Sequence, residues 1–217
     1  RITHTREQAM ELLSSYGVEV LSGLIKVLPK ASDFGQHKRV APSHKISKDK
    51  AVLTSFMTLT QLMKSSRDLN EYIQTVLVDA AKAFEFERCS FLMLSDDKSV
   101  VKSRFVFNEH GETDLTKFII DIQTSENAIG RVLISKTPAL INDYTHRQWR
   151  DLVTEELAEF IHGGALAIVP VKIGNKAIGV VCGQFLTNKK ELETEDFQQL
   201  CSLVDHLNMC LTMIMLR

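Results

Sequence analysis

The chain has 217 residues, 44% hydrophobic and 24% charged, a near-average balance that excludes a disordered segment, a collagen-like repeat and a disulfide-stapled miniprotein. Lys and Arg number 26 against 27 Asp and Glu, so the formal net charge of −1 gives no global field to recruit nucleic acid or an anionic membrane surface, and neither is expected as a partner. The length suits one domain with a smaller appendage, and no run reaches the roughly 18 apolar residues of a membrane helix, since even the greasy C-terminal segment carries Asp205, His206, Asn208 and Thr212.

From Arg6 to Leu28 the apolar residues Ala9, Leu12, Leu13, then Val20, Leu21, Leu24, Ile25 and Leu28 recur at three and four with a break at Tyr16-Gly17, which predicts two short helices. Pro29 ends the second. The polar, basic stretch that follows to Ser47 has no periodicity and reads as a linker. Residues 1–47 are therefore expected to be a helical extension, the end of an upstream domain, and residues 48–217 a domain with its own N-terminal signalling helix. The opening Arg1-Ile2-Thr3-His4 lacks the apolar core of a secretory signal, which predicts an internal piece of a longer cytoplasmic protein.

A helix is predicted from about Lys48 to Ser65, where Val52, Phe56, Leu59 and Met63 form a narrow stripe. A second follows from Leu69 to Phe84, capped by Ser66 or Asp68 and broadly apolar on one face. Cys89 to Leu94 and Val100 to Phe107 read as a hairpin turned at Asp96-Asp97-Lys98. Lys117 to Ile122 predicts a strand, Glu126 to Ser135 a short helix, Ala139 to Ile141 a brief strand, and Arg147 to Ile161 one polar helix ended by His162-Gly163-Gly164. Ala165 to Ile173 and Ala177 to Phe185 form a second hairpin about Gly174-Asn175, and Thr194 caps a last helix to Leu216. Hairpin connections in place of strand–helix–strand crossovers predict an α+β fold, a mainly antiparallel sheet of about five to six strands flanked by helices, with an N-terminal helical extension.

In the last helix Phe197, Leu200, Val204, Leu207, Leu211 and Ile214 alternate spacings of three and four. This heptad seam, with the Val52-Phe56-Leu59-Met63 stripe as complement, predicts a homodimer closed as a four-helix bundle. The cysteines Cys89, Cys182, Cys201 and Cys210 lie in apolar runs with no CxxC pair and are expected to be reduced, buried thiols. No GxxxxGK[ST], HExxH, GxSxG or calcium-loop motif occurs, so no catalytic residues are assigned. His206 and Cys210 are one helical turn apart, but two further ligands are lacking and no metal site is predicted.

Four segments carry a family resemblance. They are Asn127-Ala-Ile-Gly130-Arg-Val-Leu133 with Lys136-Thr-Pro138-Ala-Leu-Ile141-Asn-Asp143; Ile168-Val-Pro170-Val; Gly174-Asn-Lys-Ala-Ile178-Gly179-Val-Val181; and Thr194-Glu195-Asp196-Phe197 leading into Leu200. In this order and spacing they resemble a GAF domain, a sensor module of signalling proteins, over about two-thirds of the chain. The N-terminal third, Arg6 to Gly17 through Leu28-Pro-Lys30 and His44 to Lys48, is similar to the link between an HDOD domain and a C-terminal GAF-like domain in bacterial regulators. The cyclic-nucleotide signature of some members is matched only in part by Asn188-Lys189, Leu192 and Asp196-Phe197, so Lys189 and Asp196 are read as an exposed salt bridge pinning a loop.

The resemblance implies a small-molecule pocket between the sheet and the helices and loops from Asn127 to His162, with Asn142, Asp143, Trp149 and His162 as candidate ligand-binding residues. On their own chemistry Trp149 can equally anchor a surface helix and His162 can cap its end. The ligand or cofactor is not identified by the sequence. The implied function is a non-enzymatic sensory or regulatory module of a bacterial multidomain signalling protein. One alternative is a structural docking domain whose pocket is filled by Phe105, Phe107, Phe118 and Trp149. Another is an enzyme that reduces free methionine sulfoxide, although Cys89 and Cys182 lie mid-strand and not in pocket loops.

Overall fold

The computed structural model describes residues 43–108, 118–123, 126–162, 164–186 and 190–216, with side chains from Lys48 onward. The two helices expected before the linker, and the linker up to residue 42, lie outside the described residues, as does Lys189 of the expected Lys189–Asp196 pair, whereas residues 43–47, expected to end the linker, are already helical. The elements are α1 (Ser43–Ser65), α2 (Leu69–Phe84), β1 (Arg88–Leu94), β2 (Val100–Asn108), β3 (Ile119–Asp121), α3 (Ala128–Ser135), β4 (Ala139–Ile141), α4 (Arg147–Arg150), α5 (Glu155–Ile161), β5 (Leu166–Ile173), β6 (Lys176–Gln184) and α6 (Thr194–Met215). The strands form one six-stranded sheet in the order β3-β2-β1-β6-β5-β4, every neighbouring pair antiparallel. The expected α+β class and antiparallel sheet are observed.

The central strands read as continuous apolar runs because both their faces are covered. Cys89 and Phe91 of β1, Val181 of β6, and Ala167, Val169 and Val171 of β5 point into a core shared with α1, α2 and α6. The alternate residues Leu92, Val180, Cys182, Leu166 and Ile168 point into a second core under α3 and α5. Phe105 and Phe107 pack against the first core and Phe118 and Trp149 against the second, so the four aromatics do not fill one pocket.

Helix ends follow side-chain chemistry. Asp68 caps α2 by accepting from Asn70 N at 2.9 Å, and Glu85 closes it in the left-handed region. The single helix expected over 147–161 is instead two. The Leu152 carbonyl accepts from the first amide of α3, Ala128 N, at 2.9 Å, which removes it from a helical ladder, and Thr154 then starts α5 afresh by capping Leu157 N. Thr194 is the first residue of α6; its cap position is Glu193, which makes no side-chain cap.

The heptad seam of α6 belongs to the chain's own core. Leu200, Val204, Leu207 and Leu211 are fully buried, as is Leu59 of α1. The two helices lie side by side and parallel: Lys48 Nζ meets Asp196 Oδ2 at 2.9 Å, Thr60 meets His206, and Met63 and Ile214 border one crevice near their far ends. A sequence period states that a face is apolar, not what covers it, and here the sheet and α2 cover it.

Past Ile168 the short β4 no longer pairs with β5. There α6 supplies the missing partners. Asn208 Oδ1 accepts from Lys172 N at 2.7 Å, its amide donates to the Pro170 carbonyl at 3.3 Å, and Thr212 Oγ1, one turn on, accepts from Gly174 N at 2.8 Å. Among the described residues no helix is long and apolar enough to cross a membrane.

Candidate functional site

The second core is apolar except at one end of the sheet face, where four residues of two paired strands come together. Arg88 lies opposite Gln184 and Ser90 opposite Cys182 in the β1–β6 ladder, and all four are buried. The Arg88 guanidinium donates from Nε to Gln184 Oε1 at 2.7 Å and from Nη2 to the Phe160 carbonyl, and stacks 4.6 Å from the Phe160 ring centroid. Gln184 Nε2 donates to the same carbonyl at 3.1 Å. Phe160 lies in the last turn of α5, where carbonyls lack helical partners, so Arg88 and Gln184 clip that helix end onto the sheet. The Phe160 ring stacks in turn on Phe118 at 4.4 Å.

Burial pulls the Arg88 pKa down to about 10, which leaves it a cation at neutral pH. The Ser90 hydroxyl, fully buried two residues along the same face, has no hydrogen-bond partner among the described residues. Neither residue was singled out in the sequence. An Arg ahead of an apolar run looks like a solvated strand entrance, and only the pairing with β6 and the cover of α5 reveal it as interior.

The four residues assigned from the resemblance are placed as follows. The Asn142 side chain is engaged at both ends by the Leu192 backbone, donating to its carbonyl at 3.0 Å and accepting from its amide at 3.1 Å, which staples the chain before α6 to the end of β4. Asp143 is exposed and accepts from Thr145 N at 2.8 Å and Thr145 Oγ1 at 2.6 Å, bonds that hold its pKa below the usual carboxylate range. Trp149 is half-buried on α4 against the second core, and His162 is the exposed left-handed cap of α5, next to the Arg88 clip. Asn142 and Asp143 serve local structure, while Trp149 and His162 belong to the helical layer over the second face.

A cleft of about 580 Å³ opens beside α3, lined by Ile122, Glu126, Asn127, Gly130, Arg131, Leu152 and neighbours, and none of the four borders it. Asn127 there is structural, its Oδ1 accepting from Gly130 N at 2.8 Å and its amide donating to the Asp121 carbonyl at 2.7 Å.

Burial pushes the Cys89 thiol up to about 12 and Cys201 to about 11, and raises Cys182 and Cys210 as well, so all four hold their protons at neutral pH. Among the described residues no three His, Cys, Asp or Glu side chains are grouped to hold a metal ion.

No curated protein matches the sequence. Among solved structures, the chain is similar to residues 122 to 287 of a methyl-accepting chemotaxis protein, at 14% identity over 73% of this chain and 97% of that one, with a TM-score of 0.59. It is similar to the GAF domain of an Acinetobacter phosphoenolpyruvate-protein phosphotransferase, at 16% identity over 74% and 92%, TM-score 0.56. It is also similar to free methionine-R-sulfoxide reductase from Neisseria meningitidis, at 12% identity over 82% and 95%, TM-score 0.59. Likeness at such identity establishes the fold alone. The GAF domain family model, however, matches residues 68–211, which runs from the cap of α2 into the last turns of α6 and takes in the whole sheet and both helical layers: the chain belongs to the GAF domain family.

Proposed function

We propose that this GAF domain is a non-enzymatic sensory and regulatory module of a bacterial multidomain signalling protein, taking a small ligand against the sheet face beneath α5 and relaying its presence through α1 and α6. The observation that carries this reading is the parallel pairing of α1 and α6 on the opposite face of the strands that bear the Arg88 cluster. A shift of β1 or β6 on one face is felt by the helices on the other, because close-packed cores transmit displacement. Trp149 and His162, which belong to the helical layer over that face, are proposed as further ligand contacts. The protonated, buried thiols support the non-enzymatic reading over sulfoxide reduction, which needs an accessible thiolate.

Native mass spectrometry of freshly purified protein is expected to retain a small molecule, and its removal is expected to raise amide exchange in both α1 and α6. An empty protein that no metabolite stabilises in a thermal-shift screen would count against ligand sensing.

Self-association is a second role, favoured by residues the intramolecular core leaves out. Leu53 and Met57 of α1 are 59% and 58% exposed, and Met209 and Met213 of α6 are 51% and 44% exposed. Met57 and Met209 each lie three positions from the Thr60–His206 contact, so both flank the α1–α6 seam. We propose a second copy of the chain as the partner of this face.

A further inference from the structure

Arg88 is a buried cation without a counter-charge. Among the described residues no carboxylate lies within ion-pairing distance of it, and its neighbour Glu87 instead accepts from Leu186 N at 2.6 Å. Both acceptors that Arg88 uses are neutral. A guanidinium has five N–H donors, of which two are engaged, so donor capacity is left over in a dry, apolar environment. Placing a charge there without an opposite charge is costly. Ser90 repeats the pattern on the same face of β1 as a fully buried hydroxyl without a partner among the described residues. A buried guanidinium with donors to spare and no counter-charge, beside a buried hydroxyl without a partner among the described residues, describes the outline of an absent anion.

We propose that Arg88 and Ser90 form a subsite for the carboxylate of a small monocarboxylic acid, with Gln184 holding the guanidinium in position. The inference rests on the ligand-sensing reading and gives that ligand a chemical class. One negative charge neutralises one guanidinium, whereas a phosphate near two negative charges would leave an uncompensated charge in the same apolar surroundings. A planar carboxylate also matches the guanidinium fork, with the serine hydroxyl as a further donor. The walls beside it, Cys182, Phe160 and Phe118, suit an apolar body. Because the same guanidinium also holds the Phe160 carbonyl, a carboxylate that engages its remaining donors pulls on that bond, and its arrival is felt at the end of α5.

The test uses the full chain and the sodium salts of acetate and isobutyrate, compared with chloride at equal ionic strength and with inorganic phosphate. The carboxylates are expected to raise Tm and to shift the Arg88 Nε–H resonance, isobutyrate more than acetate, while phosphate does no more than chloride. Arg88→Met is expected to weaken carboxylate binding at least about tenfold, the loss of a charge-assisted pair. Ser90→Ala, which removes one atom and leaves no orphaned group, is expected to weaken it by roughly threefold to tenfold with the fold intact, and so carries the test if Arg88→Met does not fold. Carboxylates that act on the native chain no more than chloride, variants that keep native affinity, or phosphate binding through Arg88 would each overturn the proposal. A neutral molecule retained on purification by both the native chain and Ser90→Ala would overturn the carboxylate assignment and leave ligand sensing standing. A chain that neither retains nor responds to any small molecule would remove both.

Discussion

Two glycines of β6 are fixed by rings packed directly over them. A Cβ at Gly183 would lie 2.4 Å from the Phe86 ring, and one at Gly179 would lie 2.3 Å from the Leu92 carbonyl oxygen and 2.7 Å from the Phe91 ring. Both rings are in the first core and cannot retreat into solvent. Gly183→Ala is expected to cost about 1–3 kcal/mol by overpacking, and Gly179→Ala at least as much, since a backbone oxygen is less free to move than a ring. Urea unfolding checks this, and a midpoint equal to the native one at either site would contradict the packing described. The hairpin that these glycines serve was legible from Gly174-Asn175 and its flanking apolar runs. Their own role was not, because an interior strand glycine announces a close approach without naming what approaches.

At the scale of elements, the α1–α6 pair is joined by a titratable ring. The His206 ring packs tilted against Phe56 with centroids 5.0 Å apart, and its Nε2 is 3.3 Å from Thr60 Oγ1, which donates to the Phe56 carbonyl at 2.8 Å. Burial lowers the His206 pKa below the ordinary value. The unfolded chain then binds the proton first as pH falls below about 6.5, so stability rises with pH through that window and is lost on acidification. Protection of the α1 amides, with each rate divided by the intrinsic exchange rate at that pH, is expected to fall between neutral pH and pH near 5.5, and His206→Phe, which keeps the ring packing, is expected to flatten that dependence; equal slopes in the two proteins would exclude His206 as its source. The helices themselves were plain in the sequence, α2 from its broad face and α6 from its heptads. The break after α4 was hidden because Trp149, Leu152, Val153, Leu157, Phe160 and Ile161 keep helical spacing across it, and the competing bond from Ala128 comes from a segment distant in sequence. Likewise the apolar seam of α6 was visible, but its intramolecular cover depends on the twist and width of a sheet that no local pattern encodes.

At the scale of the whole molecule, the helices around the first core leave the Leu53–Met57 and Met209–Met213 faces uncovered. A dimer through them predicts a mass near twice 24.5 kDa in light scattering, reduced to one chain by Met57→Glu or Met209→Glu with the circular dichroism unchanged. A native mass of 24.5 kDa at every concentration would reject it. The other unguarded feature of such a fold is a strand edge, and here the bonds from Asn208 and Thr212 to β5 have a second consequence. Bare backbone beyond β4 is a template on which any extended chain can lay itself, including another molecule's β5. Pro170 withholds one donor from that template, and the side chains of α6 occupy Lys172 N, the Pro170 carbonyl and Gly174 N. Asn208→Leu would make α6 a better apolar helix by every local measure and yet unseal the edge. The expected result is a protein with native helicity that forms thioflavin-positive aggregates on mild heating, where the native chain stays clear; equal clarity of the two would show that the edge needs no such guard.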